Sequence, residues 1–110
     1  MAITSTQSKV PASVVNIAVG RYIDTGTVAA FKITTGFQPR YVKVQNLAAS
    51  AVTFEWFEGM TAAYALKTAV AGDKTIVTTN GITVAADGFT LGLDTSINIT
   101  NEQLSWIAIG

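Results

Sequence analysis

The side chains able to do acid–base chemistry are few. The carboxylates are Asp24, Glu55, Glu58, Asp73, Asp87, Asp94 and Glu102, and the chain has no histidine and no cysteine. The commonest general base, the commonest metal ligand and the thiolate nucleophile are therefore all absent. Glu55 and Glu58 are the only close pair, and their odd spacing puts them on opposite faces of a strand. Asp24, Asp73 and Asp87 each stand in a glycine-containing turn signal, where aspartate commonly bonds its own backbone. No G-x-S-x-G elbow, Walker loop or EF-hand pattern occurs. Asp87-Gly88 and Asp94-Thr-Ser96 are sparse for a calcium loop. Asn98-Ile-Thr100 matches a glycosylation sequon, and reads as a strand fragment that matches by chance. The expectation is no catalytic residue, no cofactor and no metal site.

What remains is aromatic and apolar. Trp56 shares parity with Val52 and Phe54, and Trp106 lies between Leu104 and Ala108; both read as core. Phe57 falls on the other face, with Thr53 and Glu55, and Met60 and Tyr64 follow it. An apolar group on a polar face beside an adaptable methionine suits an interface. The competing reading is that the chain has already turned inward at Phe57. With Tyr41, these make four interface candidates: Tyr41, Phe57, Met60 and Tyr64. A second use for the aromatics is a sugar-stacking platform built from Tyr22 and Tyr41.

Such side chains need a rigid frame. The 110 residues suffice for one domain with one sizeable core. Lys+Arg and Asp+Glu are 7 each, so the net charge is +0; charged residues make up 13% and hydrophobic ones 49%. Disorder is excluded, because it needs low hydrophobicity and high net charge. No basic excess exists for electrostatic binding of nucleic acid. A folded protein of this mass exposes roughly 5,800 Å², or about one charge per 400 Å², which is sparse for a free monomer. Much of the surface is therefore expected to be covered by a partner, and a homo-oligomer is expected. The start, Met1 to Lys9, lacks the basic and long apolar regions of a signal peptide. No apolar run approaches the ~18–20 residues of a membrane-spanning helix.

The apolar residues recur with period two in short runs bounded by turn signals, the pattern of β-strands. Residues 1–12 are polar and read as an arm or edge strand, which could order on a neighbouring subunit. From residue 13, Val15, Ile17 and Val19 form the expected buried face of a strand that Gly20 ends. Val28–Thr35, Arg40–Asn46 and Ala51–Phe57 follow, the last two with Val42 and Val44, then Val52, Phe54 and Trp56, inward. Glu58–Leu66 reads as a loop or helical turn, and Leu66, Thr68 and Val70 as a short strand up to the turn at Ala71 to Asp73. Asn80-Gly81 between two apolar segments predicts a type I′ hairpin. Phe89 to Leu93, Ile97 to Thr100 and Leu104 to Ile109 complete about nine strands. The fold expected is an all-β, single-domain antiparallel β-sandwich over residues 13–110, jelly-roll or immunoglobulin-like, with strand order open.

One family resemblance follows from these segments. Phe37-Gln-Pro-Arg-Tyr-Val-Lys-Val-Gln-Asn46, Phe54-Glu-Trp-Phe-Glu-Gly-Met60, Gly81-Ile-Thr-Val84 with Gly88-Phe-Thr-Leu-Gly92, and Leu104-Ser-Trp-Ile-Ala108 together resemble small virion proteins of tailed bacteriophages and prophages. The likeness runs from about Gly36 to the C-terminus and is one of texture and order. It implies a compact β domain without enzyme activity: a capsid decoration (cement) protein, or a small tail or head-fibre component. The implied partners are the major capsid protein, other virion proteins and further copies of the chain. The implied location is the virion, on the capsid exterior, after synthesis in the cytoplasm of the bacterial host. The alternative from a different class is a receptor- or carbohydrate-binding module of the tail.

Overall fold

The computed structural model describes residues 16–110. The arm expected at residues 1–12 and the start of the domain at residue 13 lie outside them. The described chain is all-β and antiparallel, with nine strands. They are β1 (Ile17–Ile23), β2 (Phe31–Thr34), β3 (Tyr41–Asn46), β4 (Thr53–Phe57), β5 (Ala65–Thr68), β6 (Lys74–Val77), β7 (Ile82–Ala85), β8 (Gly88–Leu91) and β9 (Gln103–Ile109). Six of them form a large sheet in the order β1-β9-β3-β4-β5-β6, and three form a small sheet in the order β2-β8-β7. The sheets share one core: Val42, Val44, Phe54, Trp56, Leu104 and Ala108 come from the large sheet, and Ile82, Phe89 and Leu91 from the small one.

The clean alternations behave as period-two burial requires. In β3 the inward Val42 and Val44 are buried while Tyr41, Lys43 and Gln45 face out. In β4 Phe54 and Trp56 are buried, with Val52 just ahead of the strand. Phe89 of β8 meets the indole of Trp106 of β9 edge-on, with ring centroids 5.5 Å apart, and so ties one sheet to the other. The loop before β9 is held by buried amides. Asn46 donates to the carbonyl of Ile97 at 2.9 Å and to Glu102 at 3.0 Å, and accepts from the N–H of Ala48 at 2.8 Å. Asn98 donates to the carbonyl of Ala29 at 3.1 Å. Each buried amide is thus satisfied, as burial demands.

Four expectations are corrected. The first strand runs through Gly20 and its parity is inverted: Ile17, Val19 and Ile23 are exposed, while Ala18, Gly20 and Tyr22 face inward. The cause is Trp106, whose ring fills the space over Gly20 so closely that a Cβ there would lie 2.6 Å from it. The small inward residues Ala18 and Gly20 of β1 make room for an indole supplied by its neighbour β9, and Ile17, Val19 and Ile23 are left on the outer side.

The second correction concerns Asn80-Gly81. The flanking strands β6 and β7 belong to different sheets, so no hairpin joins them. Asn80 does adopt positive φ, at 57°, but Gly81 does not, and a type I′ turn needs both. The glycine is required for another reason: a Cβ there would lie 2.6 Å from the carbonyl oxygen of Tyr64. The N–H of Gly81 donates to the carbonyl of Ala63 at 3.0 Å and its own carbonyl accepts from Gly92 at 2.8 Å, where the chain crosses from one sheet to the other. The small-sheet hairpin lies one turn later, between β7 and β8 across Ala86-Asp87.

Third, the segment Ile97 to Thr100 is not a strand but part of a turn that Asp94 opens. The Asp94 carboxylate accepts from the N–H of Ser96 at 2.8 Å, and its carbonyl accepts from the N–H groups of Ile97 and Asn98. Ile97 is buried there because Asn46 fixes its carbonyl. Fourth, Val70 does not extend β5; it stands exposed in the turn to β6.

Candidate functional site

The outer face of the large sheet is built by residues that oppose one another across the ladder. Directly opposed residues share a face, so the register defines rows across it. One row is Ile17–Ile109–Tyr41–Phe57. The next is Val19–Ile107–Lys43–Glu55–Leu66–Ile76. A third is Arg21–Ser105–Gln45–Thr53–Thr68–Lys74, and it is polar throughout. The first row and the β1–β9 end of the second form one apolar zone. Within it Val19 is 70% exposed, Ile17 55% and Phe57 45%, values that belong to surface and not to packing. A sheet normally carries polar residues on its solvated face, so a contiguous apolar zone makes this face the candidate contact surface. A shallow depression of about 280 Å³ opens beside it, lined by Val19, Lys43, Gln45, Leu47, Ser105 and Ile107.

The structure brings two of the four interface candidates together here. Tyr41 and Phe57 oppose each other on β3 and β4, and their rings meet edge-on with centroids 5.2 Å apart. Phe57 therefore has not turned inward. Met60 sits below the end of β4, partly buried against the core, with its sulfur 3.2 Å from the N–H of Phe57. Tyr64 is half-buried in the turn before β5, and its carbonyl accepts from Ile82 at 3.1 Å. Tyr22 and Tyr41 do not form a joint platform. Tyr22 faces inward and stacks on Phe31 at 4.2 Å, whereas Tyr41 is on the opposite side of the same sheet.

Ile17, Val19, Ile107 and Ile109 were not legible as part of this surface. The signal that finds them is the pairing of β1 with β9, which joins residues about ninety positions apart. Period-two alternation says that two faces differ, but not which one is buried when both carry apolar residues.

The polar groups on this face are tied to one another. The Tyr41 hydroxyl donates to Glu55 at 2.6 Å. Partial burial, helped by the hydrogen bond and charge of Glu55, pushes the Tyr41 hydroxyl up to about 12. The Thr53 hydroxyl donates to Gln45, whose amide donates to the carbonyl of Asn46 at 2.8 Å. Elsewhere the carboxylates are engaged singly. Asp87 pairs with Lys32 at 3.0 Å, which holds its carboxyl below the usual range, and Glu58 lies 3.8 Å from Arg40. Among the described residues no three of the Asp and Glu side chains cluster as metal ligands would. The sequon asparagine, Asn98, is buried with its amide committed, which closes it to a glycan.

The raised Tyr41 group gives a pH-dependence. The folded chain keeps this hydroxyl protonated up to about 12, while the unfolded chain releases the proton near 10. Its contribution is fully present below pH 10 and is lost as the pH rises toward 12. Urea unfolding at pH 9 and pH 11.5 is expected to show a larger loss of stability for the natural chain than for Tyr41→Phe. Equal losses would mean that folding does not raise the Tyr41 group.

Fold and surface together define a class: an all-β, antiparallel domain with an exposed apolar zone on one sheet face. No family model matches the chain, and neither does any curated protein or solved structure.

Proposed function

We propose that the chain is a non-enzymatic structural protein of a tailed-bacteriophage virion, a capsid decoration (cement) protein that works as a homo-oligomer. It docks on the capsid exterior through the apolar outer face of its large sheet, after synthesis in the bacterial cytoplasm. The observation that carries this reading is the open zone formed by Ile17, Val19, Ile107, Ile109, Tyr41 and Phe57. The low charge of the chain supports it: with 7 positive and 7 negative groups, no long-range field opposes close packing of many copies.

The mechanism is mechanical. A rigid two-sheet domain buries apolar surface at joints of a symmetric lattice and adds binding free energy there. Repetition over one particle supplies avidity, so each contact can be modest. The major capsid protein is the partner this requires.

Quantitative mass spectrometry of particles purified from a host culture that expresses the gene tests the reading. Copy numbers on the order of hundreds per particle are expected for decoration, since avidity depends on repetition. A few to a few dozen copies would move the chain to the tail or a fibre. Its absence from particles would overturn the proposal.

A further inference from the structure

The large sheet ends on β1, and among the described residues no strand pairs with its outer edge. Which backbone groups that edge presents follows from one hydrogen bond. The N–H of Gly110 donates to the carbonyl of Asn16 at 2.8 Å, continuing the β1–β9 register by one step. Residues of the same parity, Ala18, Gly20 and Tyr22, therefore spend their N–H and C=O groups on β9. Ile17, Val19, Arg21 and Ile23 point theirs at the free edge. The same four residues carry their side chains on the outer face.

An edge of this kind is normally protected by shortness, by lysine, by proline or by a bulge. β6 and β2 have such devices: each is four residues long and carries a lysine, Lys74 and Lys32. β7 is four residues long as well. β1 is seven residues long, pairs with β9 without interruption, holds neither lysine nor proline, and has Arg21 as its one charged residue.

We infer that β1 is a homodimer seam, pairing antiparallel with β1 of a second copy about a two-fold axis at Gly20. This inference stands on the strand edge alone, whatever the outer face docks on. Antiparallel pairing about a two-fold axis must match edge-facing residues with edge-facing residues, which leaves few registers. With Gly20 on the axis, Ile17 opposes Ile23 of the second copy and Val19 opposes Arg21, so every edge-facing N–H and C=O of Ile17, Val19, Arg21 and Ile23 finds a partner. A shift of one step to one side would set Arg21 against Arg21, a like-charge opposition that costs stability. A shift to the other side leaves Ile23 without a partner from the strand. The residue on the axis is a glycine, and its inner side is already filled by the Trp106 ring. Nothing projects there to hold the strands apart. The apolar zone of one copy then continues into that of the other, and exposed Ile17 and Ile23 cover each other. A net charge of +0 leaves no repulsion between the copies.

The test is sedimentation equilibrium of the full chain and two variants, Val19→Lys and Val19→Glu, with thermal unfolding of each as a control on folding. The natural chain is expected to be a dimer in the micromolar range. Val19→Lys places a lysine against Arg21 twice per dimer and is expected to weaken it about tenfold. Val19→Glu places a carboxylate there instead and is expected to leave the dimer as tight or tighten it a few-fold. This opposite response is specific to the register. A natural chain that stays monomeric would overturn the inference. A trimer, or equal weakening by both variants while folding is unchanged, would overturn it too.

Discussion

Replacing Phe89 by alanine is expected to cost the fold about 3–5 kcal/mol, the usual range for deleting a buried phenylalanine ring. Phe89 is wholly buried and is the largest buried side chain of the small sheet. That sheet has only three strands of four residues each, and Phe89 stands on the central one, β8. Its ring is also the partner of Trp106, which in turn covers Gly20 of β1. A cavity here therefore loosens the contact between the sheets and the support beneath the β1 edge together. A domain of this size has ~5–15 kcal/mol to lose, so the variant forfeits a large share of its stability. Chemical denaturation of Phe89→Ala read by tryptophan fluorescence checks this. A loss below about 1 kcal/mol would mean that the sheets do not depend on this ring.

Ile107→Glu is expected to leave the fold intact and abolish attachment to particles. Ile107 belongs to the outer apolar zone, with Val19 on one side of it in register and Lys43 on the other. Ile107 is half-buried on the outer side, where a glutamate reaches water in the free protein and stands beside Lys43, so folding has little reason to fail. In a docked face the same carboxylate loses its water. A buried, unpaired charge at an interface position costs ~2 kcal/mol or more, which is at least about thirtyfold in affinity per site. Spread over a lattice that binds through repeated modest contacts, such a loss removes attachment. Lys67, which faces the other side of the sheet, supplies a control: Lys67→Gln removes a charge without touching the outer zone.

Much of this fold is legible in the amino-acid order, and the limits have physical causes. The β3 and β4 strands stand out because Val42, Val44, Phe54 and Trp56 alternate with residues that are polar enough to define the wet side. β1 misleads because both of its faces lack charge except at Arg21, and its buried side is chosen by an indole from the far end of the chain. The Asn80-Gly81 dipeptide misleads for a different reason. Positive φ at Asn80 is a local property, but what the corner connects depends on hydrogen bonds to Ala63 and Gly92, which no local pattern reveals. Ile97 alternates like a strand residue yet is buried within a turn, because Asn46 supplies the hydrogen bond that a ladder would have given. Of the interface candidates, Tyr41 and Phe57 were readable from parity, whereas the isoleucines and the valine beside them emerge only once β1 and β9 are paired.

The claim that the outer sheet face is the docking surface is tested most directly by co-sedimentation. The natural chain, Ile107→Glu and Lys67→Gln are each incubated with purified particles from a host culture that expresses the gene, after the chain's own copies have been stripped. The account predicts that the natural chain and Lys67→Gln pellet with the particles and that folded Ile107→Glu stays in solution. Equal pelleting of all three, or no pelleting of the natural chain, would contradict it.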